Sequence, residues 1–183
     1  MIYNADFAIL TFIQDHLRTP LGDGLMPVLT ALGNAGVIWI VLGLVLLLRK
    51  RWRRAGFLVL LALGVEALFC NVLLKPLIAR PRPFQIYDVV QLLIAQPLDY
   101  SFPSGHTGAA FAVVAALYFA KVRHWYVALI PALVIAFSRL YLYVHFPTDV
   151  LGGIVIGVFS AWLVWKVFVL IESYRTRKRQ DCD

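Results

Sequence analysis

The sequence predicts an all-α, polytopic transmembrane helical bundle, five spans plus an amino-terminal interfacial helix, forming a single domain over residues 1–183. Three observations carry this. Hydrophobic residues make up 61% of the chain and charged residues 15%, with a mean hydropathy of +0.80, a composition of membrane rather than soluble proteins. The apolar residues gather into blocks long enough for a hydrocarbon core of roughly 30 Å, which takes about 20 helical residues. Basic residues cluster between alternate blocks, as the positive-inside rule requires of a folded-back chain.

At the amino terminus, residues 1–18 place Ile2, Phe7, Ile9, Leu10, Ile13 and Leu17 at helical spacing, with Asn4, Asp6, Gln14 and Asp15 elsewhere. Such an amphipathic helix is expected to lie in the interface; a shortened sixth span is the alternative. It has no basic n-region and no A-x-A site, so a cleaved signal peptide is not expected. The spans follow at 26–48, 55–74, 105–120, 125–144 and 150–171. The third is short and crosses only if Lys121 snorkels or the bilayer thins. Cys70 and Cys182 are badly placed to meet, so no disulfide framework is expected. No repeat, low-complexity segment or nucleic-acid motif is present, and no nucleic-acid partner is expected.

"RKRWRR" at 49–54, "KVRH" at 121–124 and the basic tail 172–183, with Arg175, Arg177, Lys178 and Arg179, fall on one side of five alternating spans. That side is the cytoplasm by the charge rule, which puts the 75–104 connection and the turn near residue 145 outside the cell's inner (plasma) membrane. The outer side still holds Arg18, Lys75, Arg80, Arg82 and Arg139, beside Asp6, Asp15, Asp23, Asp88, Asp99 and Asp149. Most of these cations stand next to span ends, on the side the rule depletes of positive charge. A bound anion explains that better than scattered anchoring does.

Three outward segments carry chemistry. "KPLIARPRP" sets Lys75, Arg80 and Arg82 on a chain stiffened by Pro76, Pro81 and Pro83, either to hold an anion or to touch lipid headgroups. "PSGH" offers Ser104 as N-cap of a helix starting at Gly105, whose free N–H groups and dipole favour anions, with His106 in the first turn; a plain cap beside an interfacial histidine fits the segment equally. In "SRLYLYVHFPTDVLGG", Arg139 and His145 close one span and Asp149 opens the next. A carboxylate four residues after a histidine can fix its tautomer and leave the other ring nitrogen free as base or nucleophile. Five spans bring all three segments to one rim. His106, His145 and Asp149 number enough to bind zinc, but the surrounding cations favour an anion, so no metal and no cofactor is expected. Cations, helix N–H groups and two histidines suit phosphoryl transfer.

Lys75 to Pro83 (K-x6-R-P), Pro103 to His106 (P-S-G-H) and Ser138 to Asp149 (S-R-x5-H-x3-D) together resemble the three-part signature of the type 2 phosphatidic acid phosphatase family, over about 75 residues. The resemblance implies a metal-independent membrane phosphatase with a phosphohistidine intermediate. It implies His145 as nucleophile, Asp149 as its orienting partner and His106 as the acid for the leaving lipid. Lys75, Arg82, Ser104, Gly105 and Arg139 would hold the phosphate, and Arg80 lies outside the matched positions. The size and outward site are similar to members that act on undecaprenyl diphosphate; phosphatidylglycerophosphate, phosphatidate and lipid A phosphates compete as substrates. A non-enzymatic lipid-phosphate carrier or transporter stays open from the residues alone.

Residues 84–100 are expected either to pack over the site as a lid or to form a surface loop. Glu66 lies mid-span, more than two helical turns from Lys75, and is expected to be a neutral acid hydrogen-bonded within the bundle, with Asn71 on the same seam. Gly153, Gly157 and Ala161 form a small-residue stripe that either packs the bundle internally or makes a homodimer seam.

Overall fold

The computed structural model describes residues 2–87 and 90–180, without the side chains of Ile2, Arg179 and Gln180; Asp88 and Cys182 lie outside the described residues. Among the described residues there are helices, turns and loops and no strand. Helix α1 (Ile2–Phe12) runs on through a π-helical turn, Ile13–Leu17, and buries Leu10 and Ile13. Leu10 packs with Phe84, Leu142, Val144 and Phe146, which docks α1 onto the end of the bundle that carries the functional loops.

Thr19 starts α2 (Pro20–Ala31), its hydroxyl accepting from the Gly22 N–H at 3.1 Å and Pro20 standing at the first helical position, where a missing N–H costs nothing. The apolar block 26–48 is not one straight span, as its hydropathy had suggested. It breaks into α2 and α3 (Val37–Leu48), which meet at 45°. Between them the turn Asn34–Gly36 puts Ala35 at φ 49° and Gly36 at φ 67°, a left-handed conformation that cannot propagate a right-handed helix.

Helix α4 (Arg53–Ala67) continues through a π-helical stretch, Leu68–Leu74, into α5 (Lys75–Ile78). The prolines of the basic segment then stop it, and α6 (Pro83–Ile86) is a single turn. A loop of about 18 residues leads to α7 (Gly105–Phe119), followed by α8 (Leu129–Tyr141) and the long α9 (Pro147–Gln180).

Helix α7 is the axis of the fold. Every residue from Thr107 to Leu117 is buried, and α4, α8 and α9 all pack on it. At 1.5 Å per residue it rises only about 22 Å, short for a lipid-facing span, but it is wrapped by its neighbours. The small residues of "GHTGAAFAVVAA" admit close approach. A Cβ at Gly153 would stand 2.6 Å from the Ser104 carbonyl oxygen, and one at Gly157 would stand 2.8 Å from the Ala112 nitrogen. The stripe on α9 is therefore closed against α7, with Gly153 and Gly157 buried. Of its two expected uses it serves internal packing, and a homodimer seam through Gly153 and Gly157 would require α7 and α9 to separate.

Among the described residues, two helical runs, Arg53–Ile86 (α4 to α6) and Pro147–Lys178, are long and apolar enough to span a membrane; the bent α2–α3 pair qualifies as a third, and α7 and α8 are shorter apolar helices.

Candidate active site

Backbone hydrogen bonds bring the three chemical segments together. The Ser101 N–H donates to the Arg80 carbonyl at 2.9 Å and the Ser104 N–H to the Asp149 carbonyl at 3.0 Å. Arg82 closes the third side, its Nη1 donating to the Val144 carbonyl at 2.6 Å. Between them lies a cavity of about 310 Å³ whose walls include Lys75, Arg82, Gly105, His106, Arg139 and His145. Six of the eight residues singled out from sequence thus share one cavity, and the other two, Ser104 and Asp149, are fully buried behind it.

His145 occupies the turn between α8 and α9 and is almost wholly buried. Its Nε2 accepts from Arg82 Nη1 at 3.2 Å, and its Nδ1 faces Asp149 Oδ2 at 3.5 Å. A guanidinium can only donate, so Nε2 is the accepting nitrogen and the ring proton is assigned to Nδ1, which faces Asp149 without a hydrogen bond among the described residues. Burial, then the charges of Arg82, Arg139 and Lys75, push the His145 pKa well below the ordinary histidine value, because a second proton would add a cation to a desolvated, already positive site. Burial and the neighbouring cations thus favour the neutral ring.

Asp149 stands in the first turn of α9, where the helix dipole favours an acid. Its Oδ2 accepts from the Phe146 N–H at 2.8 Å and from the Ser101 hydroxyl, and its Oδ1 from Arg80 Nη1 at 2.5 Å. Arg80 is thereby drawn into the site. Its Nη2 donates to Asp6 Oδ2 at 2.6 Å, and Asp6 also accepts from the Thr148 N–H at 3.1 Å and hydroxyl at 2.6 Å. The guanidinium lies over the rings of Phe146 and Tyr3, 4.1 and 4.8 Å from their centroids. Asp6, read from sequence as part of a polar helix face, is instead a buried counter-charge.

His106 Nε2 donates to Asn34 Oδ1 at 2.9 Å, at the break between α2 and α3. Arg139 donates through Nη1 to the Thr30 hydroxyl at 2.7 Å, while its Nε has no partner among the described residues. Ser104 precedes α7 in extended conformation, but its hydroxyl pairs with that of Thr107 at 3.0 Å rather than capping a helix N–H. Asp6, Thr30, Asn34, Asp99 and Ser101 are the residues sequence reasoning missed. Each is a common polar type, and only the three-dimensional convergence gives it a role.

The 84–100 segment contributes Ile94, Ala95 and Pro97 to the cavity wall. A second, larger cavity of about 650 Å³ shares Lys75, Asp99, Gly105 and His106 with the first and extends between apolar walls that include Ile40, Leu60 and Leu63. Glu66 and Asn71 line it too. Glu66 is buried, and its Oε1 has no partner among the described residues, so the hydrogen bond expected within the bundle can form only through its other oxygen.

Residues 55–172 match a model described as the PAP2 superfamily. The chain is 34% identical over 146 residues to an undecaprenyl-diphosphatase of Sulfolobus acidocaldarius, covering 77% of this chain and 68% of that one. Its fold superposes on the crystal structure of Aquifex aeolicus LpxE with a TM-score of 0.77 at 29% identity, over 88% of this chain and 95% of that one. The crystal structure of a transmembrane PAP2 type phosphatidylglycerolphosphate phosphatase from Bacillus subtilis gives 0.74 at 31% identity, over 93% and 87%. The matched region contains all eight candidate site residues, on a shared transmembrane fold, and so the chain belongs to the PAP2 superfamily.

Proposed function

We propose that this protein is an integral membrane enzyme that hydrolyses a lipid phosphate or diphosphate through a phosphohistidine at His145, with undecaprenyl diphosphate as the favoured substrate. The observation that carries the reading is the His145 ring: buried, with Nδ1 3.5 Å from Asp149 and Nε2 against Arg82, on the wall of a cavity lined by Lys75, Arg82, Arg139 and His106. The Nε2 lone pair attacks phosphorus and forms an N–P bond as the P–O bond to the lipid breaks. His106, entering the step as the imidazolium with its Nε2–H held by Asn34, gives its Nδ1 proton to the departing oxygen and is left neutral. Water then attacks the phosphoryl group, His106 takes its proton, and the N–P bond breaks to release inorganic phosphate.

The larger cavity suits the departing lipid, because its walls are largely apolar and His106 stands on the boundary between the two spaces. Positive-inside charge supports an outward-facing site with the carboxyl terminus in the cytoplasm. Phosphatidylglycerophosphate and phosphatidate are the rival substrates, and a metal-free panel of the three ranks them by kcat/KM.

The central test is phosphate release in EDTA by purified protein. His145→Ala is expected to lower it by at least about 10³-fold, and acid-labile phosphate is expected on the wild-type chain after a quench. Unimpaired turnover by that variant would sink the mechanism.

A further inference from the structure

The phosphate cavity already contains an anion. Asp99, in the loop before α7, directs its carboxylate at two of the cations proposed to hold phosphate: Oδ2 pairs with Lys75 Nζ, and Oδ1 accepts from Arg82 Nη2 at 2.6 Å. Arg82 has no N–H to spare. Its Nε donates to the Asp99 carbonyl at 2.8 Å, Nη1 to Val144 O and His145 Nε2, and Nη2 to Asp99 Oδ1 and, at 3.4 Å, to Tyr100 O. These contacts use all the donors a guanidinium has. An incoming phosphate can therefore engage Arg82 only by taking a place that the protein now fills.

Of those acceptors, the Asp99 carboxylate is the one built to move. The Val144 carbonyl is buried, and His145 Nε2 leaves Arg82 only when its lone pair attacks phosphorus, whereas the Asp99 side chain is 51% exposed and belongs to a loop without regular structure. Once released it regains water, which offsets the lost pairs. Burial alone would raise its pKa, but Lys75 and Arg82 outweigh burial and hold it at about 2, so it competes as an anion at any physiological pH. Asp149 and Asp6, the other acids near the cations, are buried and tied to Arg80.

We propose that Asp99 is an exchangeable counter-anion, displaced from Lys75 and Arg82 by the phosphate group of the substrate and returning to them as inorganic phosphate departs. A phosphate monoester dianion carries more charge than one carboxylate and wins the exchange locally. Its apparent affinity is lowered by the fraction of time the clamp is closed on Asp99. The same competition acts on the product. Inorganic phosphate meets the same cations without the binding energy of a lipid chain, so Asp99 expels it more readily than it excludes substrate.

The inference rests on the phosphatase reading for its kinetic consequence, but its test does not. Inorganic phosphate binding to the detergent-solubilised full chain is measured by calorimetry for wild type, Asp99→Asn and Asp99→Glu, alongside KM and kcat for a short-chain lipid phosphate. Asp99→Asn keeps the shape and removes the charge. It is expected to bind inorganic phosphate about tenfold more tightly, the equivalent of about 1.4 kcal/mol, and to lower KM and kcat together as product lingers. Asp99→Glu, which restores an anion, is expected to stay near wild type. Should the amide variant not fold, Asp99→Ser removes the same charge with a smaller side chain.

Unchanged or weaker phosphate binding in the neutral variants would overturn the proposal and leave Asp99 as a residue that merely orients its cations. A gain for inorganic phosphate without one for the lipid phosphate would also overturn it, since both must cross the same clamp. A wild-type protein that binds phosphate but hydrolyses no lipid phosphate would instead overturn the phosphatase reading, with the binding comparison still standing.

Discussion

The Asp149 carboxylate is held by Arg80, Ser101 and the Phe146 N–H, so it can steer the His145 ring without itself moving. A strongly lowered histidine pKa means that the cation is disfavoured, so the neutral, nucleophilic ring persists as pH falls from 7 through 6. An NMR titration of ring-labelled histidine, with the His145 signal assigned by its loss in His145→Ala, is expected to show no protonation of that ring down to pH 6. A midpoint near 6.5 would refute the electrostatic account. Arg80 is the other decisive residue at this scale, since it stands between two buried carboxylates. Arg80→Ala leaves both without their counter-charge, and is expected to cost about 3–5 kcal/mol, read as a large drop in thermal unfolding temperature in detergent. Arg80→Lys keeps the charge but cannot fork between Asp6 and Asp149. It is expected to recover most of the stability and little of kcat.

The break between α2 and α3 serves the site as an element. A continuous helix would carry Asn34 past the cavity; the turn at Asn34–Gly36 presents it to His106. Asn34→Ala removes one neutral hydrogen bond and is expected to lower kcat about tenfold, the upper end of what such a bond contributes, with KM little changed. A change confined to KM would mean that Asn34 touches substrate instead. The α7–α9 contact makes a different demand. Gly157→Leu forces a side chain into the α7 backbone and is expected to destabilise the bundle by about 1–3 kcal/mol or more, whereas Val155→Leu, on the exposed side of α9, is expected to be silent. Equal thermal stability of the two variants would contradict the close packing of these helices.

Across the whole molecule, the all-helical architecture and the meeting of the three segments were legible because each rests on a local signal. Long apolar blocks declare helices, and a histidine, a serine or a pair of cations beside a proline declares chemistry within a few residues. The first span's bend was not legible: Gly33, Ala35 and Gly36 are small and apolar enough to pass as helix in any hydropathy window. Nor were Asp6, Thr30 and Asn34, whose partners lie 142, 109 and 72 residues away. Arg80 could have been suspected from its place directly before Pro81, two residues from Arg82, yet its carboxylate partners could not. The buried contact between Asp6 and Arg80 also decides how the protein should be handled at the bench. A purification handle that replaces residues 2–6, or a trimmed amino terminus, would strip the counter-ion from the arginine that holds Asp149. Preparations shortened there would be expected to behave as slow, fragile enzymes even with every signature residue intact.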